Sequence, residues 1–404
     1  MKKIKAVLFL ADGMADEPLE ELNGKTPLEY ANTKNMDKIA RLGANGTFLS
    51  LPGNCPTSSD AANLSVLGYN IENCYPGRGP IEAASRGIEL LPDDIAFRCN
   101  LVEVRDGILT DYSAGQIKNL QSEKIIEFLN KNLGSKKIIF YPGVSYRNIL
   151  ILRGKEFSDK ITYSKPDSSH GERLENILPA PADKSIEAQH TTHTLIKLIQ
   201  DSQKLLSSLS PEISNNNRAN CIFPWSPGRK PSLQSFSEKY HGIRAAVISA
   251  VDVIMGIAAC TKMTIIKVPG ATGFIDTNYE GKAQAAIKAL EEYDFVYLHV
   301  EAIDECSHMG KLDLKLKAIE DFDSKIVGPV FDSLSTKYNN IRFAVLPDHP
   351  VPIKLRKHTR TPVPVAICGH GIVPDDIKFY SENLAPKGAL GQMKNDELMR
   401  KIIF

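Results

Sequence analysis

The amino-acid sequence predicts an α/β fold in which a doubly wound, mostly parallel sheet carries an inserted, smaller α+β domain. Three observations support this prediction. Apolar, β-branched runs recur along the chain and alternate with helical patterns. A central stretch instead contains strands joined by a tight turn, with one helix between them. Finally, 404 residues exceed what one ordinary hydrophobic core organises, which favours two domains or one domain with an insertion.

The main domain is predicted from strands that are apolar along their length. Strands buried on both faces of a parallel sheet have this character, because neither face meets water. The runs are Val7–Leu10, Ala245–Ser249, Thr264–Val268, Phe295–Val300, Ile341–Leu346 and Val363–Ile367. The helical patterns are Thr33–Leu42, Ala61–Leu67, Val251–Cys260, Tyr279–Leu290 and Leu312–Phe331. We expect residues 1–89 and 179–404 to form this domain.

The inserted α+β domain is predicted to span residues 90–178. Its elements are Ala96–Val104, a turn at Asp106-Gly107, Ile108–Tyr112, a helix near Ile117–Asn132, Lys137–Tyr141 and Tyr146–Arg153. Short strands joined by an Asp-Gly turn are typical of an antiparallel hairpin. Farther along the chain, residues 207–220 are rich in Ser and Asn and are expected to form an exposed loop.

Composition excludes several classes of function. The net charge of +1 gives no general attraction to nucleic acid or to a membrane surface, so any anion binding must be local. The longest apolar runs fall far short of the roughly 20 residues that a membrane span needs. The seven cysteines are scattered and form no CxxC pair, which indicates reduced thiols and a cytoplasmic protein rather than a disulfide framework. The oligomeric state is left open.

Acidic residues follow three of the predicted strands. Asp12 comes after the first strand, Asp304 comes shortly after Phe295–Val300, and Asp348 comes after Ile341–Leu346. An aspartate in such a place often only caps a turn. However, ligands of an open α/β sheet bind beyond the carboxyl ends of its strands, where residues far apart in sequence meet. We therefore expect these carboxylates to converge on one site.

Histidines accompany the aspartates. His308 lies four residues after Asp304, on the same side of a helical turn, while His349 and His358 follow Asp348. An isolated histidine is more often structural than a ligand. The whole set of six carboxylate and imidazole ligands exceeds the needs of one ion and suits two divalent ions, with Mn²⁺, Zn²⁺ and Mg²⁺ all plausible. Two such ions about 4 Å apart stabilise the attacking and leaving oxygens of phosphate chemistry.

A nucleophile for this chemistry is expected among the serines that precede the pattern at Ala61–Leu67. A serine at a helix N-terminus presents its hydroxyl beside free backbone amides, which favour a bound phosphate. Coordination to a metal would lower the pKa of the hydroxyl. The candidates are Ser58 and Ser59. The alternative is that one of them only caps the helix.

Several segments together carry a resemblance to a known group. They are Asp12–Asp16, Ser59-Asp60, Leu64–Tyr69, Gly77–Ala83, Phe97–Asn100, Tyr146-Arg147, Pro269–Gly273, Asp304–His308, Asp348-His349, His358-Thr359 and Pro362–Val365. They occur in the same order as in the archaeal-type cofactor-independent phosphoglycerate mutases, a branch of the alkaline phosphatase superfamily. The resemblance covers nearly the whole chain. One departure is Asn63, which stands where the family tends to place a histidine.

The resemblance implies a role for each matching residue. Asp12, Ser59, Asp348 and His349 would hold one metal ion, and Asp304, His308 and His358 would hold the other. Ser59 would be the phosphorylated nucleophile. The residues expected to bind the substrate's phosphate and carboxylate are Arg78, Arg86, Arg98, Arg147 and His170. Guanidinium groups suit both anions because their planar forks bind each in a bidentate manner.

The implied reaction is the interconversion of 3-phosphoglycerate and 2-phosphoglycerate through a phosphoserine, with two divalent ions and no bisphosphoglycerate. The small phosphorylated substrate would be enclosed so that water is excluded. The alternatives are a related phosphotransferase such as a homoserine kinase-like enzyme, or a phosphatase with the same metal ligands. A sulfatase is disfavoured because the segment Cys55–Ser59 lacks the Cys-x-Pro-x-Arg spacing of that group. A non-catalytic metal-binding protein is the remaining alternative.

Overall fold

The protein is described from a computed structural model that covers residues 4–53, 55–207 and 218–404. Most of the predicted loop at 207–220 therefore lies outside the described residues. The chain divides into two compact units, one formed by residues 1–75 and 233–404 and the other by residues 76–232. No helix within the described ranges is long and apolar enough to cross a membrane.

The strands are numbered in chain order. They are β1 Lys5–Ala11, β2 Gly43–Phe48, β3 Asp94–Arg105, β4 Ile108–Asp111, β5 Ile138–Val144, β6 Arg147–Arg153, β7 Ile161–Thr162, β8 Ala180–Pro181, β9 Cys221–Arg229, β10 Ala245–Ile248, β11 Thr264–Ile266, β12 Phe295–Val300, β13 Ile341–Leu346, β14 Val363–Gly369 and β15 Gly391–Met393.

The α-helices are numbered in the same way. They are α1 Pro27–Tyr30, α2 Lys34–Arg41, α3 Ser59–Val66, α4 Ile71–Cys74, α5 Arg78–Ser85, α6 Asn119–Leu133, α7 Ile186–Ser207, α8 Phe236–Lys239, α9 Asp252–Cys260, α10 Tyr279–Glu292, α11 Ala302–His308, α12 Leu312–Phe322, α13 Gly328–Lys337 and α14 Glu397–Ile403. A π-helical turn, Asp323–Val327, joins α12 to α13, and short 3₁₀ turns occur at Glu20–Leu22, Pro166–Ser169, Leu174–Asn176 and Ala385–Lys387.

The first unit is built on an eight-stranded sheet with the order β11-β10-β12-β1-β13-β14-β2-β15 among the described residues. Strand β1 lies at its centre and pairs in parallel with β12 on one side and β13 on the other. The three strands are buried on both faces almost throughout, because helices cover the sheet. The predicted α/β class with a mostly parallel sheet is confirmed.

One strand of this sheet departs from the sequence interpretation. The apolar run at Val363–Ile367 predicts a strand of a parallel sheet, but β14 runs antiparallel to both β13 and β2. The connection from β13 to β14, residues 347–362, contains no helix. A parallel return needs a crossover connection, usually a helix, so a strand reached by an irregular loop reverses direction instead. A strand that is buried on both faces of the sheet can therefore run either parallel or antiparallel to its neighbours.

The second unit is an antiparallel sheet covered by helices. Its strand order is β4-β3-β6-β5, with β9 paired to the other edge of β3. The predicted hairpin forms as expected, since Asp106 and Gly107 both adopt positive φ between β3 and β4. Apolar side chains of α6, α7, β3, β6 and β9 share one hydrophobic core.

The second unit extends beyond the predicted 90–178 in both directions. On the N-terminal side, Ala83 of α5 packs with Ala96 and Ile151 of β3 and β6. On the C-terminal side, α7 contributes buried leucines to the core that also contains Cys221 of β9. Cutting the chain at 90 or at 178 would thus divide a hydrophobic core, and the residues that close the unit lie at 76 and 232.

Candidate active site

The predicted acidic ligands all lie at one edge of the first unit's sheet. Asp12 directly follows β1, and Asp348 follows β13 after a single proline. Asp304 lies in the first turn of α11, which begins two residues after β12. Because β12, β1 and β13 are parallel neighbours, their carboxyl ends meet at this edge. All three aspartates are buried.

His349 lies at the centre of the first group of side chains. Its Nε2 is 3.2 Å from Ser59 Oγ, 3.3 Å from Asp348 Oδ2 and 3.4 Å from Asp12 Oδ1. These four residues are the ones that resemblance assigns to one metal ion. They come from three separate places in the sequence, and the side chains of Asp12, Asp348 and His349 have no exposed surface.

The second group consists of Asp304, His308 and His358. Their ligand atoms lie within 4.8 Å of one another, and Nε2 of His308 is 2.9 Å from Nε2 of His358. Nδ1 of His308 lies 2.9 Å from the backbone carbonyl of Arg356, which can only accept a hydrogen bond. The neutral form of His308 therefore carries its proton on Nδ1 and directs the Nε2 lone pair toward His358. Such facing ring nitrogens are a suitable pair of ligands for a cation.

The electrostatics of the site also fit cations. Within the described residues, Oδ1 of Asp12 and Oδ1 of Asp304 are buried without a hydrogen-bond partner. Burial, together with the charges of Asp348 and Glu301, raises the pKa of Asp12 well above its ordinary value. Burial likewise raises the pKa of Asp348 to about 7, with Asp304 adding to the effect. Carboxylates crowded in this way are stabilised by nearby positive charge, and divalent ions supply it.

Ser59 and Ser58 occupy different positions at the start of α3. Ser58 is the N-cap residue, yet its hydroxyl caps no backbone amide and has no hydrogen-bond partner among the described residues. Ser59 is the first helical residue and directs Oγ toward His349. The side chain of Ser59 thus has a contact that capping does not explain. Of the two candidate nucleophiles, only Ser59 is observed against the predicted ligands.

The second unit brings together three of the arginines expected to bind substrate. Glu82 of α5 accepts a hydrogen bond from Arg78 Nε at 2.8 Å and pairs with Arg98 Nη1 at 3.3 Å. Although burial alone would raise the pKa of Glu82, the charges of Arg98, Arg78 and Arg147 lower it. Burial lowers the pKa of Arg98 to about 10, so this guanidinium stays cationic at neutral pH. We call Arg78, Glu82, Arg98 and Arg147 the arginine cluster.

Aromatic rings hold two of these guanidinium groups. Arg98 lies 4.7 Å from the ring centre of Trp225, and Arg147 lies 5.1 Å from that of Tyr146. Stacking of this kind orients a guanidinium and leaves its donors available to an anion. The remaining predicted residues are exposed: Arg86 is the C-cap residue of α5, and His170 follows the turn at Pro166–Ser169. The contacts that define the arginine cluster do not include His170.

Comparison with known proteins identifies the family. The family model described as 2,3-bisphosphoglycerate-independent phosphoglycerate mutase matches residues 40–210 of this chain. A protein of the same description from Methanosarcina acetivorans is 41% identical over 405 residues, which cover 99% of this chain and 100% of the relative. The chain belongs to the 2,3-bisphosphoglycerate-independent phosphoglycerate mutase family. The resemblance drawn from the sequence motifs is thereby confirmed.

Two archaeal proteins are among the solved structures that are similar to this chain. A protein from Pyrococcus horikoshii superposes with a TM-score of 0.81 at 28% identity and covers 100% of this chain and 97% of that one. A cofactor-independent phosphoglycerate mutase from Thermoplasma acidophilum superposes with a TM-score of 0.66 at 26% identity and covers 98% of both chains. The predicted fold class is that of these neighbours.

The structure adds polar residues to the candidate active site that the sequence did not predict there. Tyr297 and His299 occupy alternate positions in β12 and so share one face of the strand, and Glu301 directly follows the strand. His299 Nε2 lies 2.9 Å from Asp12 Oδ2, and Glu301 belongs with them to a group that could hold a cation. Polar residues at every second position of an otherwise apolar, buried strand are the signal that could have identified them.

Proposed function

We propose that this chain interconverts 3-phosphoglycerate and 2-phosphoglycerate through a phosphoserine on Ser59, using divalent metal ions and no bisphosphoglycerate. The observation that carries the proposal is the contact of Ser59 Oγ with His349 Nε2 at 3.2 Å, amid the carboxylates of Asp12 and Asp348. The names of the relatives support the same substrate pair.

The residues present suit two metal ions in the way the resemblance implies. Asp12, Ser59, Asp348 and His349 would hold one ion, and Asp304, His308 and His358 would hold the other. Bound divalent ions act as Lewis acids on phosphoryl oxygens and lower the pKa of a serine hydroxyl. Mixed carboxylate and imidazole donors are compatible with Mn²⁺, Zn²⁺ and Mg²⁺.

Ser59 performs the transfer in two in-line steps. In the first, its Oγ forms a bond to the substrate phosphorus as the bond from phosphorus to the 3-oxygen breaks, and the serine proton passes to that oxygen. The glycerate then turns within the site. In the second step the 2-oxygen forms a bond to the phosphorus of the phosphoserine as the bond from phosphorus to Oγ breaks, the proton of the 2-hydroxyl passes to Oγ, and 2-phosphoglycerate is released. The free backbone amides at the N-terminus of α3 favour the phosphate throughout.

The arginine cluster supplies recognition of anions. Arg78, Arg98 and Arg147 are cationic groups on one unit, partly balanced by Glu82. The substrate carries a tetrahedral phosphate and a planar carboxylate, and guanidinium forks bind both groups well. We propose that these arginines retain the glycerate between the two transfers. Loss of the intermediate glycerate would turn the reaction into hydrolysis.

The test is product analysis by phosphorus NMR. With Mn²⁺ and 3-phosphoglycerate, the protein is expected to form 2-phosphoglycerate, whereas release of inorganic phosphate alone would refute the mutase assignment in favour of a phosphatase. Homoserine with ATP forms a second arm, because a phosphorylated homoserine product would identify a kinase instead.

The nucleophile is tested with a matched pair of variants. Ser59→Ala is expected to lower kcat by about 10⁴-fold or more, as removal of other serine nucleophiles does. Ser58→Ala removes a neighbouring hydroxyl that caps no amide and should keep most of the activity. Equal losses in the two variants would exclude Ser59 as the phosphorylated residue.

A further inference from the structure

Asn63 connects the proposed nucleophile to one of the proposed ligands. It lies on α3 one helical turn after Ser59 and is fully buried. Its side-chain Nδ2 donates to the backbone carbonyl of Ser59 at 2.8 Å and to Asp348 Oδ2 at 2.8 Å. Its Oδ1 accepts a hydrogen bond from the hydroxyl of Tyr297, which is also fully buried.

The chemistry of the partners determines how this amide is oriented. A backbone carbonyl and a carboxylate oxygen can only accept, so the two hydrogens of Asn63 must face Ser59 and Asp348. The Oδ1 atom then faces Tyr297, and that hydroxyl must donate. Both donors of the amide are used and its acceptor is occupied. The chain of hydrogen bonds therefore has a single direction, from Tyr297 through Asn63 to Asp348.

We infer that Asn63 and Tyr297 form a positioning relay for the metal and nucleophile site, an inference that rests on the proposed function. The relay holds Asp348 in one rotamer while it holds the first turn of α3, so the carboxylate and Ser59 keep a fixed separation. The carboxylate's other oxygen is held by the backbone amides of Gly13 and His349. Partners that orient a metal ligand in this way typically change metal affinity by about 10- to 100-fold.

The test separates positioning from stability by removing the relay in two stages. Asn63→Leu removes both donors at similar volume and leaves the Tyr297 hydroxyl buried without an acceptor, which costs stability. Adding Tyr297→Phe removes that orphaned hydroxyl, so the N63L/Y297F double variant should regain thermal stability. It cannot regain the hydrogen bond to Asp348. From the single to the double variant, thermal stability should therefore recover while the positioning of Asp348 stays lost.

Matched controls exist in the same unit. Asn45 is buried, and its Nδ2 also donates to a backbone carbonyl, that of Ala40, and to a carboxylate, that of Asp375. Tyr380 is a buried tyrosine whose hydroxyl donates to backbone carbonyls. Neither belongs to the proposed site. Asn45→Leu and Tyr380→Phe therefore report what the loss of a buried amide or hydroxyl does to folding alone.

Four quantities are measured for every variant: the dissociation constant of Mn²⁺ by calorimetric titration, the melting temperature, and kcat and KM with 3-phosphoglycerate. The relay predicts that N63L weakens Mn²⁺ binding by about 10- to 100-fold and lowers kcat more than it changes KM. N63L/Y297F should keep that loss despite its recovered melting temperature. N45L and Y380F should bind Mn²⁺ like the wild type.

Two results would overturn the relay. One is an N63L variant whose Mn²⁺ affinity and kcat equal those of N45L. The other is a double variant in which metal affinity returns together with stability. Metal binding is measured without substrate, so a wild-type protein that binds Mn²⁺ but makes no 2-phosphoglycerate would refute the proposed function while the relay is still decided by the binding constants.

Discussion

His299 donates its Nε2 hydrogen to Asp12 Oδ2 across 2.9 Å, and both side chains are fully buried. The tautomer follows from the neighbouring contacts. The Asp12 carboxylate can only accept, so Nε2 of the neutral ring carries the hydrogen, and Nδ1 accepts from the Ser249 hydroxyl at 3.1 Å while that hydroxyl accepts from the backbone amide of Val251. Burial also lowers the pKa of His299 well below its ordinary value, which favours this neutral ring. Asp12 is thereby held by a donor of defined geometry.

We predict that His299→Phe weakens Mn²⁺ binding by about 10- to 100-fold, because the ring is retained but the donor to Asp12 is lost. His299→Gln places an amide hydrogen at a similar distance and should recover part of the affinity. Calorimetric titration with Mn²⁺ measures both. Equal affinities for wild type and His299→Phe would show that Asp12 needs no donor at Oδ2.

Lys315 and Asp16 form a buried ion pair near the same edge of the sheet. Their side chains have no exposed surface, and Nζ lies 2.7 Å from Asp16 Oδ2. Nζ also donates to the carbonyls of Gly13 and Val351, in the loops that follow β1 and β13. One lysine thus ties together the two loops that carry the proposed ligands Asp12 and Asp348.

We predict that Lys315→Met lowers the free energy of unfolding by about 3–5 kcal/mol, because it leaves the Asp16 carboxylate buried without its counter-ion. Adding Asp16→Asn should restore part of the loss. Urea unfolding measures the free energy of unfolding of the wild type and of each variant. Lys317→Met, an exposed change on the same helix, is the control and should alter stability by less than about 0.5 kcal/mol. A loss in Lys315→Met no larger than in the control would contradict the prediction.

The arginine cluster gives a prediction about substrate binding. Arg98→Lys keeps the positive charge but loses the planar fork and the stacking on Trp225, so KM for 3-phosphoglycerate should rise by about tenfold or more. Arg105→Lys, at the exposed end of the same strand, is the matched control. Steady-state kinetics compare them. An unchanged KM in Arg98→Lys would remove this residue from the set that binds the substrate.

The sequence predicted the central strands well because the residues within each strand are enough to identify it. The observed β12 and β13 have the bounds of the predicted runs, since continuous apolar, β-branched residues are characteristic of strands covered on both faces. Strand β9 was missed because it contains Pro224 and Pro227, which usually indicate a loop. It tolerates them because, among the described residues, it pairs with β3 alone and so forms an edge of the second sheet.

The sequence predicted the acidic residues of the candidate site but not the side chains that orient them. Asp12, Asp304 and Asp348 could be found because each follows a recognisable strand. The partners that orient them could not, since the contact of Asn63 with Asp348 joins residues 285 positions apart and depends on where tertiary packing places α3 relative to the loop that follows β13. The same holds for His299 and Asp12, whose meeting depends on the parallel register of β12 and β1. Tertiary packing, rather than pattern, determines these contacts.

Lys282 provides a prediction about pH. It is buried on α10, its Nζ donates to the carbonyl of His299 at 3.1 Å, and burial lowers its pKa from 10.5 to about 8, with Glu301 opposing the effect. Below pH 8 the lysine is charged in both the folded and unfolded states, so the full cost of burying the charge is present. Between pH 8 and 10.5 the unfolded chain binds more protons than the folded one, and stability therefore rises with pH.

Lys282→Met removes this cost at all pH values and forgoes one hydrogen bond worth about 1 kcal/mol. The shift from 10.5 to about 8 corresponds to roughly 3 kcal/mol, so the variant should be more stable than wild type by about 2 kcal/mol at pH 7. The difference should shrink as the pH approaches 10.5, because the wild-type lysine then enters the fold uncharged. Urea unfolding across this range measures it, with the exposed Lys288→Met on the same helix as control. A stability difference between wild type and Lys282→Met that stays constant from pH 7 to 10 would mean that Lys282 keeps its ordinary pKa in the folded protein.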